Sequence, residues 1–266
     1  MEVALDPTVA EGYSSKAQRS RVITESWAAE NLYCLNCETN RIEPHRPGKR
    51  VEDFYCPSCD RRTQLKATRG SHGNKVANSA YEPKMEAIRS NAAPDYAFMS
   101  FDPDAWRVTD LFVVPSHFMT PRVVEKRAPL SSDAQRSGWV GSNILLERVP
   151  DSGRISLVDG GQAVDVEMVR DRFDATAFLT EKESPARDWT TAVMDCLDEL
   201  DVMPGERFEL ADVYAFEERL AEQYPDNQHI RAKIRQQLQV LRDQGLLEFL
   251  GNGEYRLRWV DDRDRA

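Results

Sequence analysis

No stretch of this chain approaches the roughly 20 consecutive apolar residues that a membrane-spanning helix requires, so no helical membrane span is expected. The first residues, Met1-Glu2-Val3-Ala4-Leu5-Asp6, lack the basic segment and apolar core of a secretory signal. The expected location is therefore cytoplasmic. Internal repeats and low-complexity tracts are absent, which removes solenoids and arrays from consideration. An excess of positive charge is also missing, because the formal net charge is −10 over 266 residues. That balance argues mildly against a nucleic-acid partner, yet such binding needs only a local basic face. Two such faces exist. Lys16, Arg19 and Arg21 cluster near the start, and the stretch 228–242 carries Arg231, Lys233, Arg235 and Arg242 with no acid.

What is present is an ordinary soluble composition, 41% hydrophobic and 30% charged, with enough length for two domains. Cysteine is used sparingly and pointedly. Four of the five fall in two Cys-x-x-Cys pairs, Cys34/Cys37 and Cys56/Cys59, with eighteen residues between the pairs. That spacing is the pattern of a structural Zn²⁺ site with four thiolates and no open position. In an unexported chain, thiolates and metal are favoured over disulfides. The fifth, Cys196, lies in an apolar helical pattern and reads as a buried small hydrophobe.

The segment from Ser14 to Leu32 reads as a helix with Val22, Ile23, Trp27 and Leu32 on one side. Residues 41–50 read as an exposed loop. Glu52–Tyr55 and Thr63–Ala67 read as strands joined by the Cys56-Pro57-Ser58-Cys59 knuckle. Ala77–Ser90 reads as a helix, and Tyr96–Phe101 and Leu111–Pro115 as buried strands. From Pro121 to Gly141 the chain is loop-like, and Gly153–Val158 is a further strand. Helix and strand in this order suit a mixed sheet flanked by helices. Glu181–Asp188 is a polar bridge, and the division is placed there: 1–184, containing a zinc finger over 34–59, and 185–266. In the second part, helices are expected over 189–200, 212–223 and 228–244. In the last of these, Ile230, Ile234, Leu238 and Leu241 share a face. Two strand-like runs around Asn252-Gly253 then make a hairpin that ends at Trp259. Three helices and a hairpin describe a winged helix whose third helix would enter a major groove. Residues 260–266 are a charged tail.

A second chemical pattern runs through the zinc loop. Asp53 stands before Cys56, and Gln64-Leu65-Lys66 follows Cys59. An acid, a gap, and a carboxylate or amide two residues before a lysine is the arrangement of Mg²⁺-dependent PD-(D/E)xK nucleases. Residues 64 and 66 share a face of a strand. Asp53, the Gln64 amide oxygen and the Leu65 carbonyl are suitable hard ligands for Mg²⁺. Lys66 would position or deprotonate the attacking water or stabilise charge on the phosphate. Glu25 or Glu30 on the first helix is a further candidate for the metal.

On the segments Tyr33-Cys34-Leu35-Asn36-Cys37, Asp53-Phe54-Tyr55-Cys56 through Gln64-Leu65-Lys66, Ser137-Gly138-Trp139-Val140-Gly141-Ser142-Asn143-Ile144, and His229 to Leu241, the chain resembles the DpnI-type (Dam-replacing) restriction endonucleases along nearly its whole length. The resemblance implies an α/β (α+β) PD-(D/E)xK catalytic domain with an inserted zinc finger, and a C-terminal winged helix. It also implies a monomer that cleaves double-stranded DNA at GATC only when the adenine is methylated, with both domains sensing the methyl group. The family pattern has glutamate where this chain has Gln64. An amide oxygen is a legitimate ligand but adds no negative charge, which keeps open a non-catalytic zinc-containing winged-helix reader or regulator of methylated DNA. Cleavage of unmethylated sites also stays open. Trp139, between two glycines, is a candidate methyl sensor or a core tryptophan; apolar contact would contribute on the order of 1 kcal/mol per buried methyl. Asn227, Gln228 and His229 at the start of the third C-terminal helix, with Arg231, Lys233 and Arg235 along it, are candidate base and phosphate contacts. Arg256 and Arg258 on the wing are phosphate candidates.

Overall fold

Tyr96 to Phe101 is buried at every residue and lies at the centre of a seven-stranded sheet. The computed structural model describes residues 1–45 and 52–258. Most of the loop expected over 41–50, Trp259 of the expected hairpin and the tail over 260–266 therefore lie outside the described residues.

A long helix, α1 (Lys16–Asn31), comes first. It buries Ile23, Thr24, Trp27 and Ala28, the 3–4 spacing of one helical face, while Val22 is half-buried and Leu32 is buried just beyond the end. Then follow β1 (Glu43–Pro44), β2 (Phe54–Tyr55), β3 (Arg62–Arg69), β4 (Lys75–Ala80), α2 (Tyr81–Arg89), β5 (Asp95–Asp102), β6 (Arg107–Val114), β7 (Val124–Lys126), β8 (Gly141–Leu145), β9 (Ile155–Asp159), β10 (Gln162–Ala163) and α3 (Val166–Thr176). The large sheet has the order β1-β2-β3-β5-β6-β9-β10, and only β3 and β5 pair in parallel. A smaller antiparallel sheet, β4-β8-β7, stands beside it.

Alternation along the central strands divides the core. Ala97, Met99 and Phe101 face a cluster with α1, the cysteine-rich segment and α3. Tyr96 and Phe98 face the other way, into a cluster that runs without a break into the C-terminal part. The link is α4 (Ser184–Glu199), which buries Trp189, Ala192, Val193, Met194, Cys196 and Leu197. Polar bonds reinforce it. Arg122 donates to Asp195 at 2.9 Å and to the Thr191 carbonyl at 3.0 Å, and Arg187 donates to Asn91 at 2.7 Å. Breaking a buried pair of the Arg122–Asp195 kind typically costs about 3–5 kcal/mol. The expected polar bridge over 181–188 thus includes the first turn of a helix, with Arg187 and Asp188 buried in it.

The remaining elements are β11 (Arg207–Glu209), α5 (Leu210–Tyr214), α6 (Glu217–Gln223), α7 (Ile230–Asp243), β12 (Leu247–Gly251) and β13 (Glu254–Leu257). The strands form a sheet of order β11-β13-β12. Asn252 and Gly253, at φ 51° and 84°, supply the left-handed pair that a tight hairpin turn needs. Ile230, Ile234, Leu238 and Leu241 are buried as expected, and Cys196 is fully buried.

The elements depart from expectation at four places. The helix placed over 77–90 begins only at Tyr81, because 75–80 is drawn into a strand by β8, with Val76 opposite Ile144. The loop over 121–141 contains β7, which pairs with β8. The helix over 212–223 is two short helices, broken at Ala215 and Phe216. Helix α3 was not anticipated; its signal is Asp165, whose carboxylate accepts from the N–H groups of Glu167 and Met168, followed by buried Val169 and Phe173.

Candidate active site and metal centre

The two Cys-x-x-Cys turns face each other. Cys34 Sγ lies 3.6 Å from Cys59 Sγ, Cys37 Sγ lies 3.6 Å from Cys56 Sγ and 3.8 Å from Cys59 Sγ, and the four sulfurs fall within 4.8 Å of one another. A disulfide would hold a pair near ~2.05 Å. A tetrahedron with Zn–S bonds of ~2.3 Å has edges near 3.8 Å, so the spacing and the all-thiolate donor set fit Zn²⁺. The second turn is locked by Cys56 N–H to the Arg61 carbonyl (2.8 Å) and by Asp60 N–H to the Cys56 carbonyl (3.0 Å). Burial pushes the Cys34 thiol up, whereas at Cys56 hydrogen bonds from Thr39 and the N–H groups of Cys59 and Ser58 outweigh burial and pull the thiol down.

That turn is also the end of the β2–β3 hairpin, and the hairpin aligns the second pattern. Phe54 pairs with Thr63 and Tyr55 with Arg62. One step further along, Asp53 N–H donates to the Thr63 carbonyl (3.1 Å) and Leu65 N–H donates to Asp53 Oδ2 (2.9 Å). The acid is thereby held beside Gln64-Leu65-Lys66. Gln64 is 9% exposed, and its Oε1 is buried with no hydrogen-bond partner among the described residues. A buried acceptor left unbonded costs about 1–3 kcal/mol, a cost that a bound ion or water at this oxygen would remove. The oxygen donors of Asp53, Gln64 and the Leu65 carbonyl suit a Mg²⁺ ion. Burial lowers the pKa of the Lys66 ammonium, and the Asp53 carboxylate partly restores it.

These residues form the floor of an open cleft of about 960 Å³. Its walls carry Lys16 and Arg21 from α1, Arg69 from β3 and Lys75 from β4, which gives the cleft the basic rim that net charge concealed. Glu25 is on the wall, paired with Arg21 at 2.7 Å, whereas Glu30 is an exposed residue that does not line the cleft.

A second surface is built on α7. The cap position of α7 is His229, and the Asn227 carboxamide accepts from His229 N–H two residues on (2.8 Å), turning the chain into the helix. Gln228 and His229 are exposed beside a cleft of about 500 Å³ that includes the stacked Trp189–Tyr224 pair, 3.8 Å between centroids. Arg231 pairs with Glu217 at 2.7 Å, Arg235 donates to the Tyr214 hydroxyl at 2.7 Å, and Lys233 lies 5.9 Å over Trp189. Arg256 and Arg258 both pair with Glu248, at 3.0 and 2.5 Å.

A family model described as the DpnI Dam-replacing family matches residues 1–182, and one described as the Dam-replacing HTH domain matches residues 185–257. The chain belongs to the DpnI (Dam-replacing) family. A member of the DpnI family is a methyl-directed restriction enzyme with a helix-turn-helix domain, and its partner is DNA. No helix among the described residues is long and apolar enough to cross a membrane.

Within this DpnI-family fold, Trp139 is not a core residue. It is half-buried on a surface loop, with the Arg136 guanidinium 6.0 Å over the ring. The ring lies on Gly141, where a Cβ would meet it at 2.7 Å. Three residues near the floor of the main cleft were missed from the sequence: Asn78, Lys84 and Tyr96. Tyr96 is the register partner of Gln64 on β5, and Lys84 Nζ donates to its hydroxyl at 3.0 Å. Lys84 does carry a signal, because positions 81, 84, 85 and 88 are one face of α2, and a lysine stands there among Tyr81, Met85 and Ile88.

Proposed function

We propose that this protein is a Mg²⁺-dependent type II restriction endonuclease that hydrolyses double-stranded DNA at GATC sites with methylated adenine. The observation that carries the reading is the Asp53–Leu65 hydrogen bond, which fixes an acid beside the unpartnered Gln64 oxygen and beside Lys66 in an open basic cleft. Asp53, Gln64 and the Leu65 carbonyl would hold Mg²⁺, which when bound would polarise the phosphate and lower the pKa of a water. Lys66, half-buried on the same face as Gln64, orients that water and meets negative charge on the phosphate. The thiolates of Cys34, Cys37, Cys56 and Cys59 bind Zn²⁺ and clamp the hairpin that carries Asp53. The catalytic domain spans 1–184 and the winged-helix domain 185–266. Gln228 and His229 read base edges, Asn227 shapes the approach, and Arg231, Lys233 and Arg235 contact the backbone. Trp139 presents an aromatic face to the methyl groups. The enzyme acts as a monomer in the cytoplasm.

Gln64 supports a second reading, a methyl-dependent DNA reader without catalysis, because the site has only one acidic ligand. The test is incubation with Mg²⁺ and one plasmid in adenine-methylated and unmethylated form. Discrete fragments from methylated DNA alone support the endonuclease. Cutting of both forms removes the methyl requirement. Cutting of neither, with methyl-dependent gel shifts, favours the reader.

A further inference from the structure

Lysine is almost never buried without a carboxylate partner. Lys84 is 5% exposed, and no carboxylate among the described residues pairs with it. Its Nζ donates to the neutral Tyr96 hydroxyl at 3.0 Å and lies 4.5 Å over the same ring. Asn78, on β4, is 8% exposed; its Oδ1 accepts from Ser79 N–H at 2.6 Å, while its Nδ2 is buried with no acceptor in bonding geometry. That carboxamide neighbours the Tyr96 hydroxyl, and Ala77 beside it on β4 lines the same cleft as Asp53 and Gln64. Tyr96 is the strand partner of Gln64, and Lys66 lies two residues beyond Gln64 on the same face of β3, so the Lys84–Tyr96 pair stands behind the proposed metal-ligand strand. Lys84 and an amide donor without an acceptor thus stand behind Gln64 and Lys66, while of the two acids lining the cleft Asp53 is on the floor and Glu25 is paired with Arg21 on the wall. Such a donor set is incomplete without an anion.

We propose that Lys84 and Asn78, together with Lys66, form a phosphate-oxygen site at the back of the cleft, which takes a non-bridging oxygen of the DNA backbone next to the metal ligands. The proposal rests on the nuclease reading of the same cleft, and it adds two substrate contacts to it. It explains why a lysine occupies a core position of α2 that Leu or Met would fill at lower cost. It also gives the strand carrying Asn78 a role, since Ala77 next to it lines the cleft.

The test uses the full chain in zinc-replete buffer with Lys84→Met and Lys84→Arg. Three quantities are read: thermal unfolding, the salt dependence of binding to a duplex with a methylated GATC site in Ca²⁺, and single-turnover cleavage in Mg²⁺. A lysine kept for packing alone should be replaceable by Met with no loss of activity, because apolar replacement of a buried charge is often neutral or stabilising. The expected result is different. Lys84→Met unfolds at or above the parent temperature, its log K against log salt slope becomes shallower by about 0.9, and cleavage falls by about 100-fold or more. Lys84→Arg recovers the slope. If Met is not tolerated, Lys84→Gln keeps a hydrogen bond to Tyr96 and removes only the charge, and the slope is read from it. A parental slope together with a parental cleavage rate in the uncharged variant overturns the proposal. If the parent itself cuts no DNA, the nuclease reading fails, and the slope still decides whether Lys84 meets a phosphate.

Discussion

Replacing Gln64 with leucine separates the cost of an empty metal site from its use. Gln64 is 9% exposed and Oε1 has no partner among the described residues. An unsatisfied buried acceptor costs about 1–3 kcal/mol, and leucine of similar volume removes it. In zinc-replete buffer without Mg²⁺, Gln64→Leu should therefore be more stable than the parent by about 1 kcal/mol or more, a rise of roughly 2–4 °C in Tm for a protein of this size. Mg²⁺ should then reverse the advantage. A ligand at 100 times its Kd stabilises the native state by about 2.7 kcal/mol, and a variant that binds tenfold more weakly gains only about 1.4 kcal/mol. The gap should close or change sign as Mg²⁺ is added, while cleavage is lost throughout. The assay is chemical or thermal denaturation across a Mg²⁺ series, with single-turnover cleavage alongside. If Gln64→Leu is the less stable protein without Mg²⁺, the amide is satisfied and the argument from its unbonded oxygen is wrong. If Mg²⁺ stabilises both proteins equally, residue 64 is not a ligand.

Other perturbations read separate parts of the molecule. Cys56→Ser should abolish binding of one Zn²⁺ per chain and, by releasing the hairpin that holds Asp53, remove cleavage; retention of metal by atomic absorption would contradict this. Gly141→Ala places a methyl 2.7 Å from the Trp139 ring, so the ring must move; tryptophan fluorescence should change, and discrimination between methylated and unmethylated duplexes should fall severalfold with little change in stability. His117 is buried beside Thr176, and burial, with Arg61 and Arg187 nearby, holds its pKa well below the ordinary 6.5. The unfolded chain therefore takes up this proton first, and stability is lost as pH falls below about 6.5. Asp198, pushed up to about 7 by burial, acts in the opposite sense over the same range, so the His117 part is isolated as the smaller acid sensitivity of His117→Gln in denaturant titrations at pH 7.5 and 5.5. Arg235→Ala should flatten the salt slope of DNA binding by about 0.9 if Arg235 leaves Tyr214 for a phosphate.

The features legible in the sequence are those whose chemistry is local. Cys-x-x-Cys brings two thiolates to one turn whatever surrounds it, and Gln64 and Lys66 share a face on any strand. The apolar stripe of α7 survives because steps of three and four residues define a face without reference to a partner. What was misread depends on partners far along the chain. Lys75 to Ala80 has no strong preference of its own and becomes a strand because β8, more than sixty residues later, offers Ile144 and Ser142 to pair with Val76 and Asn78. The junction at 181–188 read as a polar bridge because Arg187 and Asp188 are charged, yet both are buried against groups that only the fold supplies. The same physics makes the exceptions informative. A lysine on the inner face of α2 and an unbonded amide oxygen on β3 each run against what packing favours, and while other buried side-chain atoms such as Tyr33 Oη and Thr120 Oγ1 also lack partners, these two lie around one residue. Lys84 bonds to Tyr96, Tyr96 is the strand partner of Gln64, and Gln64 lines the floor of the cleft. Two independent violations in one place are what a site built for a charged ligand requires, because donors and acceptors that await a phosphate and a metal cannot also be satisfied by the protein.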